Sequence, residues 1–272
     1  MNATAATSAF LSAAYPYLIA AAVAVARALG LVIVTPAFTR LGMTGLLRSS
    51  VAAVISLPLI PSILEALAPA QLSGALITGL VVKEMLIGAV VGIAFGIPFW
   101  AAEAAGDLVD LQRGSTAAQL LDPLALAESN ITATLLTVTL VALFFMTGGF
   151  SLLLAGLYDS YGLWPATSFT PVVGTDAVAP LLRVLDRIMQ ISLLMVAPIV
   201  IGLLLADIAL GFLSRMTPQF HVFDLSLAVK NLLFTFLMAV YAVFLMPVML
   251  SQVGALKDVI ELLRRLAGEG VR

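Results

Sequence analysis

Long apolar stretches separated by short polar segments run through the whole sequence. Three of them, residues 129–158, 188–206 and 231–256, contain no charged side chain. Crossing the hydrocarbon core of a bilayer takes a helix of roughly 20 mostly apolar residues, and further stretches of this kind hold a few ionisable groups. They lie at 12–35, 46–67 and 72–102. The pattern therefore predicts six hydrophobic helical segments. The predicted turns lie at 39–44, 68–73, 104–130, 159–180 and 216–224.

Composition turns this pattern into a fold class. Of the 272 residues, 62% are hydrophobic and only 10% are charged, against about 45–50% and about 25% in soluble domains. Because so few charges cannot cover a water-exposed surface, we predict an all-α integral membrane protein. Residues 1–256 are expected to form one helical membrane domain, and 257–272 an amphipathic cytoplasmic tail.

Charge and rare residues exclude several functions. A net charge of −2 offers no basic field for nucleic acid. The absence of cysteine and the presence of one histidine, His221, exclude disulfides, thiolate sites and multi-histidine metal centres. No protease, nucleotide-binding or zinc-hydrolase motif is found, so His221 is interpreted as a loop residue and the protein as a non-enzyme without cofactors. The first 26 residues lack Lys and Arg, so the stretch at 10–26 is interpreted as a membrane segment rather than a cleaved signal.

Lysine and arginine predict the orientation. The N-terminus has neither and is expected outside, whereas the first loop (Arg40 and Arg48) and the tail are expected in the cytoplasm. Six full crossings would put both termini on the same side, so at least one segment is predicted to be broken or re-entrant, unless the charge bias misleads. Prolines in or at the ends of apolar segments support broken helices. These are Pro58, Pro98, Pro198 and Pro247.

Ionisable groups at membrane depth need partners or water. They are Arg27, Lys83, Glu84, Asp207 and Arg215. Lys83 and Glu84 are adjacent, so on a helix they are expected to point to different sides and not to neutralise one another. Pairing between helices or subunits is favoured over an ion pathway. Gly88, Gly92 and Gly96 share one helix face, which fits packing either within the chain or between subunits.

The most polar interior stretch begins at Glu103 and ends at Asp122. If it is helical, Asp107 and Asp110 join Glu103 on one acidic face, and Arg113 can pair with Asp110. Gly114 offers a turn, and the pair Asp122-Pro123 ends any helix. These residues alone fit either an extramembrane loop or a pore constriction. In the tail, apolar residues recur at helical spacing from Leu256 to Leu266, which indicates a helix on the inner leaflet or on a partner.

Four stretches in this order resemble the T subunit family of type III secretion export apparatuses, which includes the flagellar FliR proteins. The first runs from Arg27 through Pro36 and Phe38 to Arg48 and Pro58. The others are Lys83-Glu84 to Gly88 and Gly92, Asp110 to Gly114 with Asp122-Pro123, and Ser214 to Phe223 with Pro218, Gln219 and Val222. The third stretch is similar to the injectisome branch.

The resemblance implies a subunit of a hetero-oligomeric export gate in the bacterial inner membrane, built from helical hairpins. Its partners would be the R, S and U type subunits, membrane lipid and unfolded polypeptides in transit. The resemblance also implies a plug-like pore segment at 103–128. Within that segment Gln112, Arg113 and Gly114 would help to close the pore, with Gly106 and Gly114 as hinges. The alternative from another class is a stand-alone transporter or channel that uses Glu84 or Asp207.

Overall fold

The computed structural model describes residues 3–68, 73–114, 130–169, 178–217 and 222–266. Within these ranges it also describes most of the side chains from Ala13 onward. Over these ranges every regular element is a helix. The helices are α1 Ala3–Val34, α2 Pro36–Thr39, α3 Gly45–Ser56, α4 Ile60–Leu67, α5 Gly74–Gln112, α6 Ile131–Met146, α7 Gly149–Leu163, α8 Val178–Met216, α9 Val222–Gly254 and α10 Val259–Leu266. Single 3-10 turns at Leu57–Leu59 and Ala255–Asp258 precede α4 and α10.

The predicted apolar segments are present as helices. Among the described residues, five stretches are long and apolar enough to cross a membrane, and the bent pair α6–α7 makes up to six. The five are Ala13–Val34, Gly45–Leu67, Gly74–Gln112, Leu182–Met216 and Leu225–Arg264. The prediction of an all-α membrane protein with a broken segment is confirmed.

Of the four prolines expected to interrupt helices, one coincides with a helix break and three do not. Pro98, Pro198 and Pro247 sit inside continuous helices, so for these three the predicted interruption is wrong. Pro58 does lie in an interruption, the 3-10 turn between α3 and α4. The other break falls at Thr147-Gly148, where Gly148 has a φ of 81°. Glycine adopts this left-handed conformation without the steric cost that a Cβ brings.

A second correction concerns the predicted turn at 104–130. Helix α5 continues without a break to Gln112, so residues 104–112 are helical and only 113–114 of the described part form a turn. The polar residues do not end the helix because their side chains find partners on neighbouring helices, as described below. The acidic face predicted for a helical Glu103–Asp110 is therefore built on α5.

The chain divides into two compact units. The first comprises Met1–Gly96, Gly148–Val184 and Ala255–Arg272. Its core joins α1, α4 and the first part of α5, with Ala166 from the segment after α7. The buried members are Ile19, Ala20, Val23, Ala24, Ile63, Leu67, Leu80 and Ala166.

The amphipathic tail belongs to this first unit. Leu256, Val259 and Leu263 are buried, and Lys257 and Asp258 are exposed, which is the predicted helical pattern. The apolar face packs on α7 of the same chain. The sequence analysis expected this face to lie on the inner leaflet or on a partner protein, whereas in the structure it packs within the chain.

The second unit comprises Ile97–Thr147 and Leu185–Gly254. The end of α5 packs on α6, with the rings of Phe99 and Phe144 edge to face at 5.4 Å. Helices α8 and α9 expose much of their apolar surface. In the most apolar 18-residue stretch of each helix, only 28% of α8 and 11% of α9 are buried, whereas 61% of α5 is buried.

Candidate functional site: two clusters of ionisable residues

Arg27 of α1 lies at the centre of a buried cluster in the first unit. Its Nε contacts Oε2 of Glu84 in α5 at 2.5 Å, and both side chains have no exposed surface. Nη1 donates to the Ser160 hydroxyl at 3.0 Å and Nη2 to the Trp164 carbonyl at 2.6 Å. The guanidinium also stacks 3.5 Å above the ring of Tyr161. Every side of this arginine is therefore occupied, which is the condition for burying a charge.

Lys83 completes the cluster from the same helix as Glu84. Its Nζ lies 2.8 Å from Glu84 Oε1, so the prediction that these neighbours cannot pair is wrong. The long lysine stem brings the ammonium around the helix to the carboxylate. The same ammonium donates to three backbone carbonyls after α7, those of Pro165, Ala166 and Ser168, at 2.9, 3.1 and 2.9 Å.

The two cations of this cluster are matched by one carboxylate and by polar groups in and after α7. Both cations face the Glu84 carboxylate, and the remaining donors go to the Ser160 hydroxyl and to four backbone carbonyls in residues 164–168, just after α7. Buried backbone carbonyls outside a helix need donors from elsewhere in the structure. Arg27 and Lys83 therefore hold the end of α7 against α1 and α5. The arrangement joins three helices, and Glu84 has both oxygens engaged by cations.

Glycines allow α1 and α5 to approach closely beside this cluster. A Cβ on Gly88 would collide with the carbonyl oxygen of Arg27, and one on Gly92 would come 2.9 Å from the carbonyl oxygen of Leu31. Gly30, which the sequence analysis missed, is the reciprocal contact on α1, because its Cβ would collide with the Met85 carbonyl oxygen. For Gly88 and Gly92 the packing therefore lies within the chain. Gly96 is buried further along α5.

The second cluster surrounds the end of α5 in the second unit. Asp110 accepts hydrogen bonds from the backbone N–H of Thr132 at 3.0 Å and from its hydroxyl at 2.6 Å. Arg113 Nη2 lies 2.8 Å from Asp110 Oδ1, the oxygen that also accepts from the Thr132 hydroxyl, as the spacing predicted. Asp107 accepts from the Asn130 amide at 2.7 Å. Two acidic residues thus meet the first turn of α6, where free N–H groups favour negative charge.

Helices α8 and α9 contribute the rest of this cluster. Lys230 Nζ lies 2.5 Å from Asp207 Oδ1 and donates to the backbone carbonyl of Gln112 at 3.0 Å. The Gln112 amide donates to Asp207 Oδ2 at 3.0 Å. The Arg113 guanidinium lies 4.8 Å from the centre of the Phe234 ring. Side chains from three helices therefore converge on the last turn of α5.

The two glycines assigned as hinges differ in environment. Gly106 lies inside α5, and a Cβ there would collide with the backbone of Ala133, so close helix packing already requires this glycine. Gly114 has a φ of 78° just after α5, and a Cβ there would come 2.9 Å from the Leu227 side chain. A hinge role for either stays a prediction.

The remaining predicted residues are not brought to either cluster by what the structure describes. Asp122, Pro123, Pro218, Gln219 and His221 lie outside the described residues. Val222 and Phe223 open α9, and their side chains are not described. Arg215 is exposed near the end of α8. Across the described ranges, no group of three or more His, Cys, Asp or Glu side chains is placed to hold a metal ion.

Sequence reasoning missed several residues that complete the clusters. Ser160, Trp164 and Thr132 act through hydroxyl or backbone groups, for which sequence gives no signal. Lys230 did offer one, because it is a single cation within the long apolar helix α9. The charge-free stretch at 231–256 begins one residue after it and therefore excludes it.

Together the fold and its clusters define a class: a multi-pass α-helical membrane protein whose few charges join its own helices. Comparison with known proteins gives the particular family. The family model described as "Bacterial export proteins, family 1" matches residues 18–256. The chain belongs to this family, which confirms the resemblance.

Named relatives agree with the family assignment. The Yop proteins translocation protein T of Yersinia pestis is 37% identical over 167 residues, 61% of this chain and 64% of that protein. The surface presentation of antigens protein SpaR of Salmonella typhimurium is 32% identical over 200 residues, 73% of each chain. The flagellar biosynthetic protein FliR of Caulobacter vibrioides is 26% identical over 203 residues, 75% of this chain and 80% of that protein.

Proposed function

We propose that the protein is a core subunit of a type III secretion export gate in the bacterial inner membrane. Membership of the export family carries this proposal. The higher identities to secretion proteins, 37% and 32%, than to a flagellar one, 26%, favour the injectisome branch. In this role the chain is structural rather than enzymatic, with the N-terminus in the periplasm and the C-terminus in the cytoplasm.

The proposed partners are other membrane subunits of the gate, of the R, S and U types. The exposed apolar surface of α8 and α9 supports this role, because most of it is not covered by other described helices of the same chain. Over the most apolar window of α9 only 11% is buried. Lipid and partner helices both cover such surface in membranes. Unfolded polypeptides would pass through the assembly in transit.

Within the gate, the polar end of α5 is proposed to help close the pore through Gln112, Arg113 and Gly114. The observation that supports this is the clustering of polar groups from α5, α8 and α9 in an otherwise apolar unit. Polar groups at membrane depth that do not face lipid mark protein interiors or aqueous paths.

The stand-alone transporter that uses Glu84 or Asp207 is less well supported. Glu84 has no exposed surface and contacts two cations, so binding a third ion there would require breaking the helix junction. Asp207 is 34% exposed and is the better of the two candidates, yet it too is paired with a lysine.

The closure can be tested with the double substitution Gln112→Ala and Arg113→Ala in the full chain, produced with its partner subunits. Removing these two side chains while keeping the α5 backbone should increase ion leak across the inner membrane. The control is Asn231→Ala, an exposed polar residue of α9, which should not increase the leak. Unchanged conductance in a correctly assembled complex would contradict a closing role for the end of α5.

A further inference from the structure

The last turn of α5 is held by a polar contact that includes a lysine to which no role has been assigned. Its members are Lys230 of α9, Asp207 of α8 and Gln112 of α5. A helix end leaves its final carbonyls without partners inside the helix. Here Lys230 donates to one of them, the Gln112 carbonyl, at 3.0 Å. A cation at this end also interacts favourably with the helix dipole.

Asp207 contacts both other residues, so that each of the three side chains or backbone groups binds the other two. One carboxylate oxygen faces Lys230 at 2.5 Å, and the other accepts from the Gln112 amide at 3.0 Å. Gln112 is thus bound through its backbone to α9 and through its side chain to α8. Charge-assisted hydrogen bonds of this kind are the stronger ones in proteins.

Lys230 also lies on the face of α9 that meets the end of α5. Leu227 lies against Gly114, and Phe234 lies beneath the Arg113 guanidinium. With Lys230 these residues have spacings of three and four, which puts them on one side of a helix. The face matches the α5 end residue by residue: Lys230 to Gln112, Phe234 to Arg113 and Leu227 to Gly114.

The other charged groups near the α5 end are already engaged. Asp110 is bound by Thr132 and Arg113, and Asp107 accepts from Asn130. Asp207 is thus the carboxylate that faces Lys230. This pair is also accessible, since the Asp207 side chain is 34% and the Lys230 side chain 13% exposed. Fewer groups of the chain enclose this pair than enclose the fully buried Arg27–Glu84 pair, so fewer contacts have to be broken to open it.

We propose that Lys230 and Asp207 form a latch that positions the end of α5, with Lys230 as the positioning residue. The latch holds Gln112 to Gly114 against α8 and α9 in the resting state, and releasing it frees them to move. The inference rests on the proposed function at one point: Gln112, Arg113 and Gly114, which the latch holds, are also the residues proposed to close the pore. The latch itself follows from the contacts.

The test is a spin label at Leu111, which is exposed next to the latch. The chain contains no cysteine, so Leu111→Cys gives one labelling site in this subunit. The full chain is purified with its partner subunits, and the mobile fraction of the label is measured. Lys230→Met keeps the length of the side chain but removes its charge and donors. We expect the mobile population to rise about tenfold, the order of effect that a hydrogen bond to a charged group has.

Two variants separate positioning from simple loss of packing. Lys230→Arg restores a cation and donors and should return the label to its original mobility. Lys257→Met removes an exposed lysine of the tail and should leave the label unchanged. If Lys230→Met does not assemble, Asp207→Asn carries the same test, because it keeps the size of the side chain and removes only its charge.

The outcomes distinguish the latch from the proposed pore closure. An unchanged mobile fraction in Lys230→Met, or in Asp207→Asn where that replaces it, overturns the latch whatever the ion leak. Failure of Lys230→Arg to restore immobility also overturns it. A raised mobile fraction without ion leak supports the latch and contradicts closure by the α5 end. Raised mobility together with leak supports both.

Discussion

The two charged clusters share a plan but differ in burial. In the first, charged side chains of α1 and α5 converge on the residues that follow α7, and in the second, charged side chains of α8 and α9 converge on the end of α5. Arg27 and Glu84 are fully buried, and in the second cluster Asp110 is nearly so, whereas Asp207, the partner of Lys230, is 34% exposed. A buried pair loses several kcal/mol of hydration per ion, and removing one partner leaves the other charge buried and uncompensated. The first cluster is therefore a fixed junction, and the Lys230–Asp207 pair of the second can open at lower cost.

The surroundings of the clusters point the same way. The first lies where Gly30 and Gly88 bring two backbones into contact, so little can move without separating α1 from α5. The second borders α8 and α9, which are the least buried of the long helices. Similar chemistry can thus serve as a rigid joint in one place and as a releasable contact in another, and burial decides which.

The largest expected effect tests the fixed junction. Glu84→Gln removes the carboxylate that contacts both Arg27 and Lys83 and leaves two buried cations uncompensated. Breaking a buried ion pair from one side costs about 3–5 kcal/mol. We expect loss of the assembled complex, or a strongly lowered Tm in detergent.

Glu261→Gln is the control for this variant, because Glu261 is a part-exposed carboxylate whose arginine contact is 3.8 Å. It should leave assembly and Tm nearly unchanged. A complex that assembles normally with Glu84→Gln but no longer secretes would contradict the fixed junction and favour a transport role for this carboxylate.

A smaller effect is expected where the backbones meet beside the junction. Gly88→Ala places a Cβ against the Arg27 carbonyl oxygen, and overpacking of this kind costs about 1–3 kcal/mol. Gly162→Ala is the matched control, because nothing lies within 4 Å of a Cβ there and alanine favours a helix. The Tm of the purified complex should fall for Gly88→Ala and stay level or rise for Gly162→Ala. Equal Tm values would mean that α1 and α5 are not rigidly packed.

Prediction from sequence succeeded for features that depend on a single local pattern, such as the length of an apolar stretch or the spacing of two residues on a helix. Hydrophobic length gave the six helical segments, and spacing gave the pairing of Asp110 with Arg113 and the packing face of Gly88 and Gly92. It failed for Lys83 and Glu84, because helix geometry fixes where Cβ points but not where a flexible four-carbon stem ends.

The prolines failed as predictors for a related reason. Pro98, Pro198 and Pro247 remain within helices, since a lost backbone bond can be tolerated when neighbouring groups compensate. The break at Gly148 instead follows from a backbone conformation that sequence marks only by the pair Gly148-Gly149. Contacts such as Trp164 to Arg27 depend on tertiary approach between residues 137 positions apart, which no local pattern specifies.

The smallest expected effect sharpens the comparison from the side of the second cluster. Asp110→Asn keeps an acceptor for the Thr132 hydroxyl but removes the charge that Arg113 and the first turn of α6 face. A charge at a helix N-terminus contributes about 0.3–1 kcal/mol, and up to about 2 in partly buried sites. The Tm should therefore fall less than for Gly88→Ala or Glu84→Gln, with the complex still assembled. Thr139→Ala on the same helix α6, whose hydroxyl bonds only its own helix, should change the Tm less still. If Asp110→Asn instead destroyed the complex as Glu84→Gln is expected to do, the buried Asp110 would fix its part of the second cluster as firmly as Glu84 fixes the first, and only the Lys230–Asp207 pair could be the contact that opens.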